Sequence, residues 1–126
     1  MKVYAFDVDE TLEISNGPVT LNMIKELREQ GHATGLCGNW GCYFSKVADW
    51  PKYISFFNAF IDKPQFMKLL KEQSGPFMDV EEFVMVGNIL HERNSLGFRC
   101  GSDDKGAAEY AGWRFIKEDD FSNGVR

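Results

Sequence analysis

The chain has 126 residues, of which 44% are hydrophobic, 14% aromatic and 26% charged, the balance of one globular domain spanning 1–126 and not of a disordered segment. Fourteen Lys and Arg against nineteen Asp and Glu leave a net charge of −5, so attachment to nucleic acid or to an anionic membrane through bulk charge is not expected. No stretch approaches the ~20 apolar residues of a membrane span or the apolar core of a secretory signal, and three cysteines without CxxC spacing argue for a reducing, cytoplasmic setting over a disulfide framework.

Lys2 to Phe6 is a compact apolar run that reads as a buried strand. Asn16-Gly17-Pro18 marks a turn, and Thr20 can cap a helix running to about Gln30, with Leu21, Ile24 and Leu27 on one stripe and Gly31 as its stop. His32 to Cys37 predicts a second strand. From Gly41 to about Trp50, Phe44, Val47 and Ala48 follow helical spacing until Pro51 ends the segment. Tyr53 to Phe60 predicts a short third strand. Pro64 suits the first turn of a helix whose core face would be Phe66, Leu69 and Leu70, ended by Gly75-Pro76. Phe83 to Val86 is a strong strand signal. Ile89 to Ser102 is polar and without period. A helix from about Lys105 to Ala111 and a last strand from Trp113 to Ile116 follow, and the acidic residues Glu118 to Asp120 lead into a loose end. Alternating strands and helices imply a parallel sheet with all strand C-terminal ends on one edge, where ligands of such folds bind.

The residues with chemistry gather at those ends. Phe6-Asp7-Val8-Asp9-Glu10-Thr11-Leu12 follows the first strand. Its three acids repel one another unless protons or a cation neutralise them, and Mg2+ suits carboxylate oxygens. The plainer alternative is an acidic turn. With the strand before it, this segment resembles the first motif, DxDx[TV], of the haloacid dehalogenase superfamily of phosphohydrolases. The resemblance implies a three-layer, doubly wound, Rossmann-like α/β core. It implies that Asp7 is a nucleophile forming an aspartyl-phosphate and that Asp9 is the general acid and base. The Asp9 backbone carbonyl would bind Mg2+, and Thr11 would be among the phosphate-binding residues.

Lys63-Pro64 resembles the third motif, a lysine before a helix that offsets charge on the nucleophile and the phosphoryl group. The fourth motif is altered. Val84-Met85-Val86-Gly87 fits its strand, but Asn88 stands where the first Asp belongs, offering at most a neutral oxygen to the metal. Asp103-Asp104-Lys105-Gly106 fits its second half, with Asp104 the better metal ligand and Asp103 the neighbour able to substitute, either being otherwise a helix cap. The second motif lacks its Ser or Thr at Cys37-Gly38, so the Gly38 backbone and the Asn39 amide are left to hold phosphate.

Cys37 as a nucleophile is the weaker idea. A zinc set of Cys37, Cys42 and Cys100 with His32 or His91 is likewise less expected. His91 and Arg93 read as solvated loop residues before substrate contacts, and Trp40, Tyr43 and Phe44 as core before pocket wall. The short spacing from Leu12 to Leu21 leaves no room for a substantial cap, so the site is expected to be open, shielded by substrate, by the 89–102 segment or by a second copy in a homo-oligomer. The expectation is therefore an Mg2+-dependent phosphatase for a phosphorylated substrate. The alternatives are a catalytically impaired phosphate- or metal-binding protein and a phosphatase processing nucleic-acid ends.

Overall fold

The computed structural model describes residues 1–126. One all-parallel sheet holds strands β1 (Lys2–Phe6), β2 (Ala33–Leu36), β3 (Phe56–Phe57), β4 (Glu82–Gly87) and β5 (Arg114–Lys117) in the order β3-β2-β1-β4-β5. The helices are α1 (Leu21–Glu29), α2 (Trp40–Lys46), α3 (Lys63–Ser74), α4 (Asp104–Ala111) and α5 (Glu118–Ser122). This is the α/β alternation expected from the sequence, and it is consistent with a Rossmann-like fold. No helix is long and apolar enough to cross a membrane.

From Val3 onward the central strand β1 is apolar because alternate side chains feed two cores. Val3 and Ala5 join Met67, Met85, Ala107, Ala108 and Trp113, while Tyr4 and Phe6 join Ile24, Leu27, Tyr43 and Phe121. Thr20 caps α1, its hydroxyl accepting from the Met23 N–H at 3.2 Å, and Gly31 closes it at φ 91°. After β1 the chain builds β2 and β3 on one side, then crosses to β4 on the other. The crevice at the C-terminal ends of β1 and β4 is thus a topological switch point.

Four expectations need correction. The third strand is only two residues long, because Ala59 turns left-handed at φ 48° and Asn58 folds its amide back onto the Ile61 carbonyl at 2.9 Å. The helix predicted from Gly41 to Trp50 ends at Lys46, and Trp50 belongs to a separate 3-10 turn. On α3 the buried residue is Met67, with Phe66 and Leu70 half-buried and Leu69 exposed. That helix begins at Lys63, whose ammonium is tied inward by two ion pairs. Lys63, Met67 and Leu70 share a face at helical spacing, which turns Leu69 to solvent. The acidic tail is no loose end. It forms α5, where Phe121 is fully buried edge-to-face on Tyr4 and Phe6 at 6.2 and 5.3 Å, and the Arg126 guanidinium lies 3.9 Å from the Phe121 ring centre.

Candidate functional site

Each element delivers its polar residue at the end that faces the crevice. Asp7 directly follows β1, and its N–H extends the ladder by donating to Val86 O at 2.9 Å. Asn88 follows β4, Gly38 lies two residues past β2, and Asn58 follows β3. Lys63 and Asp104 open α3 and α4. These residues border or underlie a cavity of about 470 Å³ whose eleven lining residues include Asp7, Asp9, Glu10, Asn58, Asp62, Lys63 and Ser102 and not one hydrophobic side chain.

The centre is an ion triad. Lys63 Nζ donates to Asp7 Oδ1 at 2.8 Å, to Asp104 Oδ1 at 2.7 Å and to Ser102 Oγ at 2.6 Å. Asp7 is 2% exposed and Asp104 fully buried. Two buried carboxylates against one ammonium leave a surplus negative charge. Burial pushes the Asp7 carboxyl well above its ordinary value, Asp104 pushes the same way, and Lys63 pulls back. Both Asp7 oxygens nevertheless accept N–H donors, the arrangement of a carboxylate. Burial favours the neutral form of Lys63, but Asp7 and Asp104 outweigh it and hold the ammonium charged above the ordinary lysine range. Removing Lys63 would leave both carboxylates buried without a counter-charge, at about 3–5 kcal/mol.

Asn88 completes the frame. Its Nδ2 donates to Asp7 Oδ2 at 2.8 Å and to Asp9 O at 2.9 Å, its Oδ1 accepts from Thr11 Oγ1 at 3.0 Å, and its backbone N–H donates to Asp104 Oδ2 at 2.8 Å. The Asp9 carboxylate accepts from Ser15 Oγ at 2.8 Å and from Asn39 Nδ2 at 3.2 Å. Two glycines make room. A Cβ at Gly38 would strike Asp7 Oδ1, and one at Gly87 would strike Asp104 Oδ2. The missing Ser or Thr near position 38 therefore has a steric reason.

Asp7, Asp9, Lys63, Asp104 and Asn88 thus come together, but Asp104, expected as the better metal ligand, has both oxygens engaged by Lys63, Ser102 and the Asn88 N–H. The other expected residues are differently employed. Thr11 is fully buried with its hydroxyl committed to Asn88, so it offers no side-chain contact to phosphate in the cavity. Asp103 caps α4 by accepting from Gly106 N at 3.0 Å, while it is Asp104 that meets Lys63, so Asp103 does not stand in for Asp104. Asn39 lines the cavity, but its amide is spent on Asp9 and on capping α2 through Cys42 N. Asn88 presents its amide nitrogen, not its oxygen, to Asp7. Cys37 is buried and its thiol is pushed up to about 12 by that burial, which makes it inert as a nucleophile. His91 and Arg93 are exposed and do not line the cavity.

Sequence reasoning missed three contributors. Asn58 accepts from Gly38 N at 3.2 Å and so fixes the loop after β2. Ser102 relays between Lys63 and Asp104. Asn94 holds the 89–102 segment against the turn after β1, donating to Glu10 O at 3.0 Å and Asn16 O at 2.7 Å. Polar residues just past a strand end were the available signal for Asn58. Nothing local marked Ser102 or Asn94.

No group of three or more His, Cys, Asp or Glu side chains gathers to hold a metal. The oxygens able to face a cation are Asp7 Oδ2 and Asp9 O, which converge on Asn88 Nδ2. They are hard donors, and the surplus negative charge of the triad favours a cation beside them. If the Asn88 amide turned end for end, its oxygen would join them, and the Thr11 hydroxyl would accept where it now donates. No protein-family model matches the chain, and neither the curated proteins nor the solved structures give a match.

Proposed function

We propose that the chain is an Mg2+-dependent phosphatase of haloacid dehalogenase type, acting on phosphate monoesters through an aspartyl-phosphate on Asp7. In that reading the two hydrophobic clusters flank the sheet of a three-layer, doubly wound core, and the free thiols suit a reducing cytoplasm. The observation that carries the proposal is the contact of Lys63 Nζ with both Asp7 and Asp104, at 2.8 and 2.7 Å, on the floor of a polar cavity at the sheet's switch point.

The chemistry follows from the residues. An Asp7 oxygen attacks phosphorus, and the bond to the leaving oxygen breaks as Asp9 gives that oxygen its proton. Water then attacks the aspartyl-phosphate, Asp9 takes a proton from the water, and the phosphorus–Asp7 bond breaks to release phosphate. Ser15 and Asn39 orient the Asp9 carboxylate for both transfers. Lys63 offsets the charge of phosphoryl oxygens drawn against Asp7. Asp7, the Asp9 carbonyl and, with its amide turned, Asn88 would hold Mg2+, which would supply a counter-charge to the phosphoryl oxygens.

The test is hydrolysis of p-nitrophenyl phosphate with Mg2+. Asp7→Asn is expected to lose at least about 10³-fold in kcat and Asp9→Asn about 10²–10⁴-fold. Equal rates for wild type and Asp7→Asn end the proposal. One observation favours a second reading, a phosphate-binding protein without turnover: Asn88 Nδ2 already satisfies the two oxygens that a cation would use. Turnover that depends on Asp9 removes that reading.

A further inference from the structure

No hydrophobic residue lines the cavity, yet small-molecule sites are mostly lined by apolar and aromatic side chains around a few polar groups. The missing apolar component stands beside it. Asn39 lines the cavity, and the next residue, Trp40, begins an aromatic cluster. Its ring centre lies 5.5 Å from those of Phe57 and Phe60, and Phe44 lies 5.1 Å from Phe57. Phe60 is 94% exposed. It sits two residues from Asn58 and two from Asp62, both of which line the cavity, so its Cα is within about 7 Å of each.

That exposure is enforced by the backbone. Ala59 is held left-handed at φ 48°, a conformation alanine adopts reluctantly. The loop is pinned there by Trp40 Nε1 donating to Ala59 O at 2.6 Å, by Ile61 N donating to Asn58 O at 3.0 Å and by Asn58 Nδ2 donating to Ile61 O. The Phe60 ring meets Trp40 at 84°, edge to face. Strain and three hydrogen bonds thus hold an apolar ring in water on the short loop between two residues that line the polar cavity.

We propose that Trp40 and Phe60 form a subsite for a planar ring on the alcohol side of the phosphorylated substrate. The substrate class is a small monoester whose leaving group carries an aryl ring or a nucleobase. Stacking serves either ring because both have a flat π face. This inference rests on the phosphatase reading above and names its substrate.

The test is calorimetric binding to the full chain with Mg2+, using ligands that are not hydrolysed. They are phenylphosphonate, a nucleoside 5′-methylenephosphonate and propylphosphonate, with inorganic phosphate as the reference. At least one ring-bearing phosphonate is expected to bind about 5- to 100-fold more tightly than propylphosphonate, and Phe60→Ala is expected to bring that ratio close to one. Preference for phenyl assigns an aryl ester, and preference for the nucleoside assigns a nucleotide. A wild-type ratio near one overturns the subsite while phosphate binding leaves the phosphatase reading standing. Failure of inorganic phosphate and every phosphonate to bind overturns both. A ratio unmoved by Phe60→Ala, with a change from dimer to monomer in sedimentation, overturns the subsite in favour of a contact between copies of the chain.

Discussion

Asn88 is the residue on which the behaviour of the site turns. It uses its amide nitrogen, amide oxygen and backbone N–H at once, and its amide nitrogen sits between two oxygens that would otherwise repel. Asn88→Asp keeps the size and removes the donor. A new carboxylate would then face Asp7 Oδ2 and leave Asp9 O unpaired. Without a divalent cation this costs at least about 1–3 kcal/mol. With Mg2+ the converging oxygens become ligands and the loss is recovered. Urea denaturation midpoints in EDTA and in Mg2+ measure this, and a loss that Mg2+ leaves unchanged would show that these oxygens do not hold a cation. Much of this site was legible in the sequence, because Asp7 ends an apolar run and Lys63 and Asp104 begin helices. Ser102 was not legible. Its partner Lys63 is 39 positions away, and a serine at the end of an aperiodic loop carries no local signal. Thr11 and Asp103 are engaged elsewhere: the Thr11 hydroxyl bonds Asn88 across 77 positions, which no spacing reveals, and Asp103 takes the cap role through Gly106 that the sequence offered as its alternative.

At the scale of elements, strands with continuous apolar runs were readable and those defined by their surroundings were not. β1 and β4 pair from Lys2 and Glu82 to Phe6 and Val86, and burial on both faces made them apolar beyond those two first residues. β3 is short because a left-handed alanine stops it, which composition does not announce. α5 was hidden by its charges. Its first residue, Glu118, is fully buried and neither carboxylate oxygen has a hydrogen-bond partner. Burial raises its carboxyl to about 7. A carboxyl raised on folding binds its proton more tightly in the folded chain, so its contribution to stability is complete below the unfolded value near 4.5 and is lost as pH rises through about 7. Cys100, Lys117, Asp119 and Asp104 are the charged or titratable neighbours acting on it. Glu118→Gln is neutral at every pH. It is expected to exceed wild type by roughly 1–3 kcal/mol at pH 8 and to match it near pH 4.5. Urea midpoints across that range read the difference, and parallel pH profiles would show that Glu118 does not titrate in this window.

The whole molecule sets the field in which a phosphate arrives. The chain carries −5, and Asp9, Glu10 and Asp62 line the cavity with Lys63 as its one cationic side chain. A monoester dianion therefore approaches against a repulsive field, and salt should help it by screening. A nucleic-acid end meets the opposite dependence. A protein that neutralises several backbone phosphates releases counterions, and its affinity falls steeply with salt. Nothing in the cavity supplies such contacts, since Lys63 is committed to Asp7 and Asp104. Between 20 and 200 mM KCl, at fixed Mg2+, kcat/KM for a small monoester is expected to hold or to rise by less than about three-fold. Measured beside it, a 5′-phosphorylated oligonucleotide separates the substrate classes. If its kcat/KM exceeds that of the monoester and falls about tenfold over the same range, basic residues outside the cavity, such as Arg93 and Arg99, are gripping a polymer, and the small-substrate assignment is wrong.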